Sequence, residues 1–242
     1  MKKLIVLVLM MLVAAPAFAG DVYVKINAHT DAMAVMGQST PASDEISEQW
    51  FSATKAAQNS KSTGFIVDLE KQLAYMINHA DKSYVELPMP IDLVKVLPPE
   101  AQAMAPMMQM SATVAETTET KTIGGWACQG YDVTITVMGM QMKQRIWAST
   151  AVPGDLASFA SKLMPAFLQG TMRLNEASVA EFAKIKGFQV ATDLTGDVMG
   201  AKIHSTTEAV EIVEKAAPAG VYEVPAGYTK KATLSLQDLQ RK

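Results

Sequence analysis

The chain has 242 residues, 49% of them hydrophobic, with 21 basic and 24 acidic side chains and a formal charge of −3. That balance offers no electrostatic footprint for nucleic acid or anionic headgroups, so a nucleic-acid partner is excluded. With Cys128 as its one cysteine the chain cannot form an internal disulfide and must rely on its apolar core.

The first segment reads as an export signal. Lys2 and Lys3 precede an apolar run over residues 4–13, and Ala17-Phe18-Ala19 supplies the small-x-small pattern of a cleavage site. Residues 1–19 are expected to be removed, leaving residues 20–242 as a single β-rich periplasmic domain. The apolar run is well short of the roughly 20 residues that cross a bilayer, so an integral membrane protein is not expected. No cysteine follows it, so N-terminal lipid attachment is not expected either. Loss of Lys2 and Lys3 would leave 19 basic against 24 acidic side chains, a charge of −5.

Residues 22–36 alternate, with Val22, Val24, Ile26 and Ala28 on one face and Lys25, Asn27 and His29 on the other, which predicts one long strand. Shorter runs at 64–69, 73–78 and 82–87, separated by turn residues, predict a meander. The proline-rich stretch 88–106 is expected to cross over the sheet, and residues 98–108 carry a helical pattern. Around Tyr131 the apolar positions are odd (Tyr131, Val133, Ile135, Val137), but from Met140 they are even (Met140, Met142, Ile146, Ala148). Such a slip turns every side chain to the other face and therefore demands a turn or bulge near Met138-Gly139. The same Val-Met-Gly word recurs at 35–37 and 198–200, and three related hairpins follow. Helices are predicted over 155–169 and 175–186, with Asp155 and Asn175 as N-caps, Gly170 and Gly187 closing the C-terminal ends, and Pro106 and Pro165 kinking or breaking their helices. The tail from Val221 is expected to lie across the surface, with a short helical turn at 236–239.

Strands far outnumber helices, and the helices come in two inserts. The fold class expected is mainly β with a few helices: a curved antiparallel sheet or unclosed β-barrel with helices packed on its concave face.

The string Ile-Gly-Gly-Trp-Ala-Cys-Gln-Gly-Tyr at 123–131, followed by Arg145-Ile146-Trp147-Ala148, resembles the signature of an uncharacterised family of exported bacterial proteins, the domain of unknown function of DUF4412 type. Met36-Gly37-Gln38, Gln49-Trp50 and Asp81-Lys82-Ser83-Tyr84 add to the likeness, which runs from about Asp21 to Tyr228. The architecture that such proteins resemble is that of periplasmic lipoprotein carriers (lipoprotein-localisation factors) and mycobacterial lipid-binding proteins. The resemblance implies a binder of hydrophobic ligands.

Catalysis is not expected, because His29, His79 and His204 lie on separate runs at polar positions or turns, read as solvated, and no Gly-x-Ser-x-Gly elbow occurs. No cofactor or bound metal is called for. Cys128, between Trp126 and Tyr131, reads as a packed core thiol. Trp50 and Trp147 read as core anchors. Methionine is the anomaly, with 17 in the chain. Met104, Met107 and Met108 share a helical face and Met138, Met140 and Met142 share a strand face. Converging across the sheet with Leu163 and Phe167, they would line an apolar cavity for a lipid, an acyl chain or a hydrophobic segment of an envelope protein. Two alternatives stay open: Cu(I) handling by the thioethers, and a structural or interaction protein whose methionine-rich core is solid.

Overall fold

The computed structural model describes residues 20–35, 38–104, 109–154, 156–198 and 200–235. The signal segment, Met107, Met108, the Asp155 cap, the centres of two of the Val-Met-Gly words and the turn at 236–239 lie outside the described residues, as does the side chain of Met104.

Among the described residues, twelve strands form one mainly antiparallel sheet. In chain order they are β1 (Val22–Thr30), β4 (Ser43–Phe51), β5 (Lys55–Asn59), β6 (Thr63–Asp68), β7 (Leu73–Asn78), β8 (Ser83–Pro88), β9 (Met110–Ile123), β10 (Trp126–Val137), β11 (Met140–Ser149), β12 (Phe188–Val198), β13 (Ala201–Glu214) and β14 (Thr229–Lys231). A separate hairpin pairs β2 (Met33–Val35) with β3 (Gln38–Thr40). The spatial order β14-β8-β7-β6-β5-β4-β1-β13-β12-β11-β10-β9 ends in two edges, so the curved sheet does not close into a barrel. Helices are few: α1 (Pro99–Met104), α2 (Leu156–Met172) and α3 (Glu176–Phe182), with a 3-10 turn at Leu93–Val96. The mainly β, unclosed architecture is the one the alternation predicts.

The register confirms the slip around Gly139. Val137 pairs with Met140, Ile135 with Met142 and Tyr131 with Ile146, so odd positions of β10 and even positions of β11 share a face. That face holds a core of Tyr131, Val133, Ile135, Ile146 and Ala148 under Leu168, Val179 and Phe182 of α2 and α3. Met138 and Gly139 have φ of 50° and 78°, the double left-handed signature of a type I′ turn. Val198 and Ala201 likewise bracket two residues, with Gly200 at φ 84°. Val35 and Gln38 bracket two more. Because Met142 pairs with Gly196, the β10–β11 and β12–β13 turns are at the same end of the sheet. Methionine has no side-chain bond to support a left-handed φ, whereas asparagine tolerates it. Met138→Asn is therefore expected to stabilise the protein by about 1 kcal/mol, read as a raised urea midpoint at unchanged slope.

Several expectations need correcting. The long first strand stops at Thr30 and resumes at Met33: Asp31 still donates its N–H to the His204 carbonyl (3.0 Å), in line with the β1–β13 pairing, while its carboxylate turns to two histidines. Gly170 does not end a helix: α2 runs on to Met172, unbroken at Pro165, and Arg173 takes the left-handed φ of 51°. Gly170 is instead where the helix touches the crossing segment, since a Cβ there would fall on the Ile91 carbonyl. Gly187 stands beyond the end of α3 at φ 96°, with its backbone against Ser149. Asn175 does cap α3, its Oδ1 accepting the Ser178 N–H at 2.8 Å.

α2 is the central tie of the molecule. Leu156 packs under β1 and β13 with Val24 and Ile212, Phe159 joins Ala56, Val67 and Leu87, and Leu168 joins Tyr131 and Ile146. One amphipathic stripe thus reaches three parts of the sheet. α3 has a second task at the β9 edge, where Ser178 Oγ accepts the Ala112 N–H (2.9 Å) and Glu181 Oε2 accepts that of Val114 (2.8 Å). On the other face, Tyr23 of β1 and Trp50, Ala57, Ile66 and Ile77 of β4 to β7 are covered by Val221, Tyr222, Val224 and Tyr228 of the tail, which then forms β14 parallel to β8.

Candidate functional site

Strand alternation decides what α2 meets. Ala56, Val67, Ala74 and Leu87 form one ladder across β5 to β8, and the next rung, Gln58, Phe65, Met76 and Val85, is on the same face. The first ladder is packed by Ile91, Val96 and Phe159. The second packs less completely: Val85 is buried in the same core and Phe65 and Met76 lie against it, but between this rung and the C-terminal half of α2 lies a hollow of about 380 Å³. Its apolar lining includes Phe65, Met76 and Val85 from the sheet, Phe167 from α2, Leu93 from the 3-10 turn and Leu234 from the tail. Polar groups come from the strand ends and the last helical turn, among them Asn78, Ser83, Thr171 and Lys231. Phe65 and Phe167 meet edge to face at 5.8 Å, where sheet and helix approach each other across the hollow. The volume falls in the range that holds a small apolar ligand.

The residues expected from sequence are not gathered there as a set. Phe167 lines the hollow, and Leu163 packs one turn earlier against the neighbouring core. Met138 is 58% exposed at the tip of its hairpin. Met140 is half-buried at the start of β11, and Met142 packs against the core under α3. Met104 is on α1 with its side chain outside the described residues, and Met107 and Met108 are outside them altogether. Among the described residues, the methionine that lines the hollow is Met76. The reason is the turn itself: a two-residue hairpin loop directs its first residue into solvent, whatever its hydrophobicity. Sequence reasoning misses Phe65, Met76 and Leu93 as lining residues, although Phe65 and Met76 are alternating residues of the meander.

A second, larger cleft of about 580 Å³ opens where β4, β1, β13 and β12 run side by side. Asn27 and His29 line it, on the face of β1 opposite Val24 and Ile26, together with Trp147 and the exposed side chains of Ile46 (55%) and Val210 (45%). Two histidines read as solvated are in fact brought together at its end. His29 bonds Asp44 (2.7 Å) and Asp31 (3.0 Å), and His204 bonds Asp31 (2.9 Å) and stands 3.3 Å from the Asp193 carboxylate as an ion pair. No sequence spacing could show this, since 175 residues separate the two histidines and only the β1–β13 register joins them. The five side chains form a chain, and among the described residues no three His, Cys, Asp or Glu converge as a metal cage would require. His79 is elsewhere, bonded to the Tyr228 hydroxyl at 2.9 Å.

Cys128 is buried, as its apolar surroundings predict, and its Sγ–H donates to the Trp126 carbonyl at 3.4 Å. Burial pushes the thiol pKa up, which keeps it protonated and unreactive. Trp147 lies under Lys121 and Arg145, with the Arg145 guanidinium 5.5 Å from the ring centre. No helix among the described residues is long and apolar enough to cross a membrane.

These features define a mainly β protein in which helices on one face of an unclosed sheet leave a greasy hollow. The chain belongs to the family described as domain of unknown function (DUF4412), whose model matches residues 25–228. Among solved structures, the crystal structure of an uncharacterized conserved protein from Thermus thermophilus is similar over 88% of this chain and 91% of that one, at 6% identity and a TM-score of 0.38. No curated protein matches the chain.

Proposed function

We propose that the protein is exported to the periplasm and there binds an apolar molecule, a lipid acyl chain or the hydrophobic segment of an envelope protein, between α2 and strands β5 to β8. The observation that supports this most is the hollow between Phe65, Met76 and Val85 of the sheet and Phe167 of α2, with Gln58 at one side of the rung and the other polar groups at the strand ends and the last helical turn. Such an arrangement admits an apolar body and keeps a polar end in water. The n-region, apolar run and cleavage pattern at residues 1–19 support the compartment. Among the described residues, methionine enters this reading through Met76, as an adaptable wall.

The neutral apolar dye N-phenylnaphthylamine is a suitable probe. The mature protein is expected to bind one equivalent, and Thr171→Trp, which places an indole in the hollow, should weaken binding at least about tenfold, the equivalent of roughly 1.4 kcal/mol. Ile46→Asp, which alters the other cleft, should leave binding unchanged. Equal dye binding by wild type and Thr171→Trp, or its loss on Ile46→Asp, would remove the proposal.

A further inference from the structure

The Asp44–His29–Asp31–His204–Asp193 chain has a property that its distances impose. An ionised carboxylate only accepts hydrogen bonds, and a neutral imidazole donates from one nitrogen only. Each imidazole here has a carboxylate oxygen at both nitrogens: 2.7 and 3.0 Å for His29, 2.9 and 3.3 Å for His204. Both rings are therefore fully bonded only as imidazolium, each donating twice.

The chain also spans four neighbouring strands at one end of the sheet. Asp44 is on β4, His29 on β1, His204 on β13 and Asp193 on β12, so it ties the β1–β4 hairpin to the β12–β13 hairpin. It does so where β1 ends and the separate β2–β3 hairpin begins. Around it the main chain reaches the end of its ladders: Thr30 pairs with Ser205 and Ser43, the Asp31 N–H donates to the His204 carbonyl (3.0 Å), and Ser205 Oγ donates to the His29 carbonyl (3.0 Å) and lies 3.1 Å from Thr30 Oγ1. The other ionisable groups nearby add little compensating positive charge. Glu45 on β4, Glu208 on β13 and Lys121 on β9 line the cleft, Arg145 on β11 stands opposite Asp193 with its guanidinium engaged by Asp132 (2.7 Å) and Glu119 (2.8 Å), and Asp197 and Lys202 pair across β12 and β13.

We propose that this chain of five side chains is a proton-operated clasp: with both histidines protonated it holds the two hairpins together, and on their deprotonation three carboxylates stand close without counter-charge and the hairpin ends part, widening the cleft beside them. The proposal is independent of the apolar hollow, which lies on other strands.

The direction of the pH response follows from the same contacts. Bonds to Asp44 and then Asp31 raise the His29 pKa, the bond to Asp31 raises that of His204, and bonds to His204 and then His29 lower that of Asp31. The histidine contribution is complete below the unfolded value of about 6.5 and is lost as pH rises through the raised folded values. The Asp31 contribution is present above about 3.9 and is lost as pH falls through its lowered folded value. The clasp is therefore closed in mild acid and opens on the alkaline side.

Histidine ring-proton NMR and amide exchange of the full mature protein, both followed from about pH 5 to 9, test it. His29 and His204 should titrate above about 6.5, and Asp31→Asn should move both downward. Protection of amides 28–30 and 205–207, referenced to core amides such as Val24, should fall about fivefold through that titration, and the step should vanish in H29Q/H204Q. Should Asp31→Asn fail to fold, the exposed-end variants Asp44→Asn and Asp193→Asn each test one half of the chain. Histidines titrating at the ordinary value, or hairpin protection with no step at their titration, would overturn the clasp.

Discussion

Gly170→Ala is expected to destabilise the protein by about 3 kcal/mol, even though alanine is the better helix former by about 1 kcal/mol. Gly170 is buried inside α2, and a Cβ there would overlap the Ile91 carbonyl group and stand 2.8 Å from Ile91 Cβ. Backbone cannot rotate away as a side-chain tip can, so the helix must lift from the crossing segment. Lifting it loosens three core clusters at once, because Leu156, Phe159 and Leu168 belong to different ones. Phe167 and Thr171 are on the same turn, so dye binding in the hollow should weaken in parallel. Urea denaturation at unchanged slope measures the loss. An unchanged or raised midpoint would show that Ile91 yields and that α2 is not tightly seated.

The second large effect is expected at Asp68, 2% exposed at the end of β6. Its Oδ1 accepts the N–H groups of Glu70 (3.1 Å) and Lys71 (3.0 Å), and Oδ2 faces the ammonium groups of Lys55 (3.4 Å) and Lys71 (3.6 Å). Burial alone would push its pKa up; the Lys71 N–H and the Lys55 charge outweigh that, and the net shift is downward. Asp68→Ala leaves two turn N–H groups and a half-buried lysine without their acceptor and should cost about 2–3 kcal/mol. Asp68→Asn keeps an acceptor for the turn and should cost less. A lowered folded pKa means that the charge contributes stability above about pH 3.9 and loses it as pH falls through the folded value. The gap between wild type and Asp68→Asn in urea melts should therefore be full at neutral pH and shrink below about pH 4. A gap that is constant across this range would mean that the charge contributes nothing and the turn everything.

Sheet class and hairpin positions were legible because both are written in period two. Val133 to Ile135 and Met142 to Ile146 announce their faces, and a phase change between them has few physical causes. β9 was not legible for the same reason: Glu116 to Thr122 are polar on both faces, and this strand is held by β10 and by side chains of α3 rather than by its own pattern. β4 is similar, with exposed Ser43, Asp44 and Glu45 in sequence. The candidate site was legible only in part. A stripe on α2 pointed to Leu163 and Phe167, but the strand rung opposite is chosen by registry between β5, β6, β7 and β8, which no local word encodes. Methionine abundance drew attention to Met138, where backbone geometry rather than burial determines the side chain's direction. The histidine–aspartate chain is a product of long-range pairing and has no local signature at all.

An open sheet ordinarily invites a neighbour, because the outer N–H and C=O groups of its last strand are a ready template for another chain. In this protein the longest unpaired border is partly answered from within: a seven-residue helix lends a hydroxyl and a carboxylate to two amides at the start of β9, and glutamates and a lysine populate the remainder. Growth by strand addition would first have to evict those side chains and then bury their charge. At this border of the twelve-stranded, unclosed sheet, side chains thus stand where a further strand would pair.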